Sequence, residues 1–367
     1  MGFDEVHKKL GFGCMRLPMS GDNVDYAEFS KMIDAFLSAG FNYFDTAHGY
    51  IGGKSETAIR DCLAARYERE AFVLADKLTD PYFDKEDEII PLFESQLKLC
   101  GVQYFDFYLF HCLNRTNYQK HKRCKTFETV RRLKEEGKIR HIAMSFHDTA
   151  DVLDMILTEQ PFIEAVQLQI NYLDYDDPGI QSKACCDVAV RHGKQVIVME
   201  PVKGGALAKL TGEAVKILDR FGKSSPASLA LRYAAGFPGV FMVLSGMGNM
   251  EMMTDNIRTF NDFVPLSDAE LDAADKIRGI TRKLNRISCT GCDYCAEGCP
   301  AKIPISKVFS VYNGFTSAEY TKEAAKKKLP HSGGGPADCI GCGACERICP
   351  QRLPIRENLK KISDVLK

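Results

Sequence analysis

The sequence predicts a (β/α)8 TIM barrel followed by a small, mainly α-helical domain. Three observations carry this reading. Over roughly the first 250 residues, short apolar runs alternate with stretches whose apolar residues recur every three or four positions. No Gly-x-Gly-x-x-Gly turn follows the first strand, which argues against an open doubly wound sheet. Past residue 280 the alternation stops and one cysteine pattern occurs twice. The expected domains are therefore 1–280 and 281–367.

The expected strands are 10–14, 41–44, 72–75, 105–110, 139–144, 165–168, 195–199 and 240–244. Between them, 26–39, 87–100 and 124–136 have helical periodicity. Gly40, Gly101, Gly137 and Gly193 fall just past a helical run, where a left-handed residue ends a helix. Asp148-Thr149 and Ser224-Ser225-Pro226 are helix starts. Residues 268–284 form a last amphipathic helix before the tail. In a barrel of this kind, working residues sit at the C-terminal ends of the strands. Those positions hold Asp45, Lys77, His111, Ser145, Gln167, Met199 and Ser245. Singly, each has an ordinary explanation as a cap, a loop charge or a satisfied histidine. Together they point to one site.

The tail reads Cys289-Thr-Gly-Cys292-Asp-Tyr-Cys295-Ala-Glu-Gly-Cys299-Pro300 and then Cys339-Ile-Gly-Cys342-Gly-Ala-Cys345-Glu-Arg-Ile-Cys349-Pro350. Each is C-x2-C-x2-C-x3-C-P, the spacing that wraps a [4Fe-4S] cube, with the fourth cysteine ligating the other cluster. This assigns Cys289, Cys292, Cys295 and Cys349 to one cube, and Cys339, Cys342, Cys345 and Cys299 to the second. Zinc needs only four thiolates and has no use for the third step or the Cys-Pro. The long insert 301–338, with 317–328 helical by pattern and a turn at His331–Pro336, favours an α-helical ferredoxin-like domain over the compact β-rich type.

The 48 basic and 49 acidic residues balance to a net charge of -1, which predicts no nucleic-acid or membrane partner. The start of the chain lacks a signal segment, and the cysteines outside the motifs have no pairing rhythm. A cytoplasmic location is expected.

The segment Gly40-Phe41-Asn42-Tyr43-Phe44-Asp45-Thr46-Ala47-His48-Gly49-Tyr50, followed by Gly53-Lys54-Ser55-Glu56, resembles the signature of the aldo-keto reductases. Leu10–Pro18, Ala75-Asp76-Lys77, Tyr108-Leu109-Phe110-His111, 167–172 and 199–205 extend the resemblance across about residues 5–280. With its tail, the chain resembles the subgroup that carries a two-cluster ferredoxin domain. The resemblance implies a catalytic tetrad of Asp45, Tyr50, Lys77 and His111. In it, Tyr50 is the general acid, Lys77 lowers its pKa, Asp45 orients Lys77, and His111 positions the carbonyl of an aldehyde or ketone.

The resemblance also implies a nicotinamide nucleotide, NADPH or NADH. Ser145 and Gln167 would bind the carboxamide, although Phe146 stands where an Asn usually follows the Ser. Met199 would lie under the ring, and Gly204 and Gly205 beside the pyrophosphate. Ser245, Gly246, Met247, Asn249, Asp255 and Asn256 would hold the adenosine end, where 245–256 contains no Arg or Lys for a 2′-phosphate.

A nicotinamide moves two electrons at once and each cube moves one. Three readings follow. The barrel is an NAD(P)H carbonyl reductase with accessory clusters. Alternatively, the clusters relay electrons from a ferredoxin or flavodoxin-like carrier to a substrate or a flavin; the Lys326-Lys327-Lys328 run reads first as a solvated face and otherwise as a contact for an acidic carrier. In the third, the chain is a non-catalytic electron-transfer subunit, against which the intact tetrad argues.

Overall fold

The computed structural model describes residues 3–222, 224–284, 286–317, 319–329 and 334–366. Its contacts divide the chain into two compact units, Met1–Pro201 with Ala227–Ser267, and Val202–Pro226 with Asp268–Lys367.

The first unit is a closed barrel of eight parallel strands. They are β1 (Leu10–Gly13), β2 (Tyr43–Asp45), β3 (Val73–Leu78), β4 (Phe105–Leu113), β5 (Ile139–Phe146), β6 (Ala165–Gln169), β7 (Gln195–Met199) and β8 (Val240–Ser245). Each pairs with its neighbour in sequence, and β1 closes the ring by pairing with both β2 and β8. All eight expected strands are present, but β3, β4 and β5 run two to three residues further than their apolar runs. Polar side chains such as Lys77, His111 and Ser145 can stay in strand geometry because they point into a lined site rather than hydrocarbon. The interior is filled by Tyr43, Val73, Ala75, Phe107, Leu109, Ala143, Ala165, Ile197, Met242 and Leu244. Phe3 plugs it, its ring 4.8 Å from Phe107 and 4.9 Å from Phe241.

Helix starts and stops follow local chemistry. Tyr26–Ser38 begins where the Asp25 carboxylate accepts from Glu28 N–H, and buries Phe29, Met32, Ile33 and Phe36 at helical spacing. Gly101 ends Ile89–Cys100 in the left-handed conformation, at φ +69°. The expected helix at 124–136 starts later, at Thr126, because Lys125 adopts φ +48° and separates it from Arg115–Arg123. No helix among the described residues is long and apolar enough to cross a membrane.

The second unit is helical. Glu213–Leu218 packs on Asp268–Arg282, and the tail contributes Ile305–Thr316, Lys322–Lys328 and Ile355–Val365 around a core of Ile305, Val308, Phe309, Tyr312, Ile355, Leu359 and Ile362. The duplication is longer than the cysteines. Cys299-Pro-Ala-Lys-Ile-Pro-Ile matches Cys349-Pro-Gln-Arg-Leu-Pro-Ile. Pro304 and Pro354 take nearly the same backbone angles, φ -77°, ψ 75° and φ -74°, ψ 75°, each just before a helix. The helix expected at 317–328 begins only at Lys322, because Thr321 caps it by accepting from Ala324 N–H. Ile305–Thr316 is an additional helix. Half of the expected His331–Pro336 turn, residues 331–333, lies outside the described residues.

Candidate active site and cysteine-lined cavities

Three members of the expected tetrad lie on adjacent strands. Asp45 ends β2, Lys77 is in β3 and His111 in β4, and all are buried. Tyr50 sits in the loop after β2, whose left-handed Gly49, Ile51, Gly52 and Gly53 turn it tightly. Lys77 Nζ donates to Asp45 Oδ1 at 2.7 Å and to the Thr46 carbonyl at 2.5 Å. It also lies 4.9 Å from the centre of the Tyr50 ring, and the His111 ring stands edge-on to Tyr50 at 5.9 Å. The four residues therefore form one constellation.

Its electrostatics are set by burial. Desolvation alone would depress the Lys77 ammonium, but the charge of Asp45, followed by that of Tyr50, outweighs it, and Lys77 is held above its ordinary value. His111 is pushed well below the ordinary histidine range, first by burial, then by the positive Lys77 and by His147. It is a neutral imidazole at working pH. Its Nδ1 lies 2.8 Å from Thr79 Oγ1, a partner that sequence reading missed because only the strand register brings Thr79 there.

Under this layer lies a second polar one. Asp76, adjacent to Lys77, faces the opposite side of the strand, accepts from the Lys77 N–H and lies 3.7 Å from Cys100 Sγ. Burial, then the neighbouring Glu56 carboxylate, raises its pKa well above the usual carboxylate range. Glu56 is itself fully buried and bonded to His48 Nδ1 at 2.9 Å.

The residues expected at the nucleotide divide between the units. In the barrel unit, Ser145 Oγ accepts from Cys112 N–H at 2.7 Å, and Gln167 Nε2 donates to Asp45 Oδ2 at 3.1 Å. Asn256 Nδ2 donates to Ser245 Oγ at 2.9 Å, and Asn249 caps Met250–Asn261. Met199 ends β7, and Met247 is buried just past β8. Two arginines outside 245–256 enter this region. The Arg16 stem lies beside Gly246 and its guanidinium pairs with Glu200 at 3.6 Å, while Arg258 pairs with Asp255. Gly204 and Gly205 belong to the second unit. A Cβ on Gly204 would fall 2.7 Å from Thr290 Cα, so its close approach is to the first cysteine motif.

The eight motif cysteines fall into two groups of four. Cys289, Cys292, Cys295 and Cys349 line one cavity, and Cys299, Cys339, Cys342 and Cys345 line another. Each combines three cysteines of one motif with the fourth of the other. None of these thiols is in a disulfide. Four soft donors around one hollow suit a [4Fe-4S] cube.

A parallel barrel with a Lys–Asp–Tyr–His site, joined to a cysteine-rich helical module, defines an iron–sulfur oxidoreductase. The comparisons with known proteins agree. The aldo/keto reductase family matches residues 9–278 and the 4Fe-4S dicluster domain matches residues 288–353. The chain belongs to the aldo/keto reductase family. An aldo-keto reductase of Mycolicibacterium smegmatis is 26% identical over 260 residues, covering 69% of this chain and 84% of that protein. Among solved structures, the holo form of an aldo-keto reductase from Bacillus halodurans superposes with a TM-score of 0.61 at 22% identity, covering 74% and 92% of the two chains. A Klebsiella pneumoniae aldo/keto reductase in complex with NADP and acetate gives 0.60 at 18% identity, covering 74% and 91%.

Proposed function

We propose that the barrel reduces an aldehyde or ketone with NADPH or NADH, or runs the reverse oxidation, and that the C-terminal domain binds two [4Fe-4S] cubes. The observation that carries the reading is the Lys77 ammonium, paired with Asp45 and 4.9 Å from the Tyr50 ring. A bound nicotinamide supplies the hydride for the carbonyl carbon. The developing alkoxide then needs a proton, and Tyr50 O–H is its source. A free phenol is a weak acid, with a pKa near 10. Lys77 stabilises the phenolate left behind, and Asp45 keeps Lys77 charged and in place.

A neutral His111 can donate to the carbonyl oxygen only from Nε2–H. That tautomer requires the Thr79 hydroxyl to donate to Nδ1. The carboxamide of a nicotinamide needs one donor and one acceptor. Ser145 accepts from Cys112 and keeps its hydroxyl proton to donate, while Gln167 spends its NH2 on Asp45 and keeps Oε1 to accept. For the cubes, Cys289, Cys292, Cys295 and Cys349 are the ligands of the first, and Cys339, Cys342, Cys345 and Cys299 of the second. The reading places the protein in the cytoplasm with a small carbonyl or alcohol substrate.

A second reading has a ferredoxin or flavodoxin-like carrier feeding single electrons through the cubes to a substrate or a flavin. Its support is the exposed Cys342, beside Ile340, which is 69% exposed at the rim of the second cavity. Tyr50→Phe separates the two. Under the first reading it removes roughly 10²- to 10⁴-fold of carbonyl reduction, the range of general acid catalysis, with nucleotide affinity and iron content intact. A harmless Tyr50→Phe, together with loss of turnover in cysteine-to-serine cluster variants, selects the second reading.

A further inference from the structure

The two cysteine-lined cavities are duplicates in backbone but not in charge. Beside the second, the nearby cations are exposed: Arg347 donates to the Cys342 carbonyl and Arg356 to the Gly341 carbonyl, both at 3.4 Å. Water screens such charges. Beside the first, the cation is buried. Lys203, only 2% exposed, donates from Nζ to Gln351 Oε1 at 2.5 Å. Gln351 follows Cys349-Pro350 and is one of the residues lining the first cavity. The next residue, Gly204, is pressed against Thr290, between ligands Cys289 and Cys292. Lys203 is thus tied to the segment after Cys349, and its neighbour Gly204 is packed against the loop after Cys289.

We propose that Lys203 is a positioning residue for the first cube and raises its reduction potential above that of the second. A one-electron reduction adds a negative charge to the cube and its four thiolates, the electron coming from any external donor. A buried ammonium stabilises that added charge far more than exposed guanidinium groups do, because the intervening medium is of low dielectric. The first cube is therefore where an electron entering this module comes to rest. The inference rests on the proposed cube ligands but not on the barrel chemistry, so it stands or falls independently of Tyr50.

The test is an anaerobic redox titration of the full-length, iron-loaded protein with dithionite, followed by electron paramagnetic resonance. A Cys295→Ser variant assigns the first-cube signal. In the native protein the first cube is expected to be reduced before the second. Lys203→Met lowers the first-cube midpoint by at least the equivalent of tenfold in its reduction equilibrium, 59 mV for one electron, and leaves the second cube unmoved. Lys203→Arg keeps the charge and restores the native order. Iron content in each variant shows that both cubes are retained. An unchanged first-cube midpoint in a fully loaded Lys203→Met protein overturns the proposal, as does an equal shift of both cubes. If Lys203→Met loses iron, Lys203→Arg and Gln351→Glu decide. Gln351→Glu neutralises the ammonium in place and must lower the same midpoint, and failure to do so is equally fatal.

Discussion

Gly204→Ala is expected to damage the first cysteine motif, whereas Gly205→Ala one position away is not. Both residues have positive φ, +61° and +93°. A residue with a Cβ there costs about 1–2 kcal/mol in either case. The surroundings differ. Around Gly205 an added Cβ meets nothing within 4 Å. At Gly204 it meets the Thr290 carbonyl, with Thr290 Cα at 2.7 Å and C at 2.9 Å, all backbone that no rotamer change can clear. Overpacking of this kind costs about 1–3 kcal/mol more, so Gly204→Ala should lose about 2–5 kcal/mol against about 1–2 for Gly205→Ala. The strain falls on the segment between Cys289 and Cys292, and the expected readout is faster loss of iron to a chelator. Anaerobic chelation followed by absorbance, with thermal unfolding in parallel, measures both effects. Equal behaviour of the two variants would refute the packing argument. So would native iron retention in Gly204→Ala.

Other outcomes follow from buried groups of the barrel. Thr79→Val removes the hydroxyl that fixes His111 Nδ1, so kcat should fall about tenfold or more with nucleotide affinity unchanged, as steady-state kinetics and calorimetry can check. Acid stability has opposing contributions. His111 and His121 titrate below the ordinary histidine value, His121 at about 3, because burial disfavours their charged forms. Below about pH 6.5 the unfolded chain therefore binds more protons at these sites, and stability falls as pH falls. Asp76 opposes this: its raised pKa keeps a proton on the folded protein that the unfolded chain has released above about pH 4. Asp76→Asn removes that compensation. As pH falls toward about 4 its stability should therefore fall more steeply than that of the native protein, in urea unfolding under anaerobic conditions.

The barrel was legible because its strands are apolar runs separated by glycine-ended helices, and a period of two or 3.6 needs no tertiary knowledge. The extensions of β3 and β4 were not, since Lys77 and His111 look like loop residues until neighbouring strands bury them. The cysteine module was legible in which cysteines come together, because the motif spacing already pairs three of one copy with the fourth of the other, as the two cavities do. Its helices were harder. Ile305–Thr316 carries valine, phenylalanine and serine residues of weak helical propensity, and packing against Ile355–Val365 overrides it. Gly204 shows the limit of local reading. Its sequence context points to a phosphate, yet the backbone it meets is Thr290, 86 positions away. Arg16, Thr79 and Lys203 escaped notice for the same reason: their partners are distant in sequence or set by strand register.

The central claim is that the barrel moves a hydride between nucleotide and carbonyl carbon, with the clusters accessory to that step. The most direct test is isotopic. NADPH carrying deuterium at the transferred position of C4 is given to the iron-loaded protein with an aldehyde, and the alcohol is analysed by mass spectrometry. The account predicts one deuterium on the former carbonyl carbon at every turnover, equally in cluster-deficient protein that remains folded. An alcohol whose new C–H hydrogen comes from solvent, formed only when the clusters are present, would contradict it.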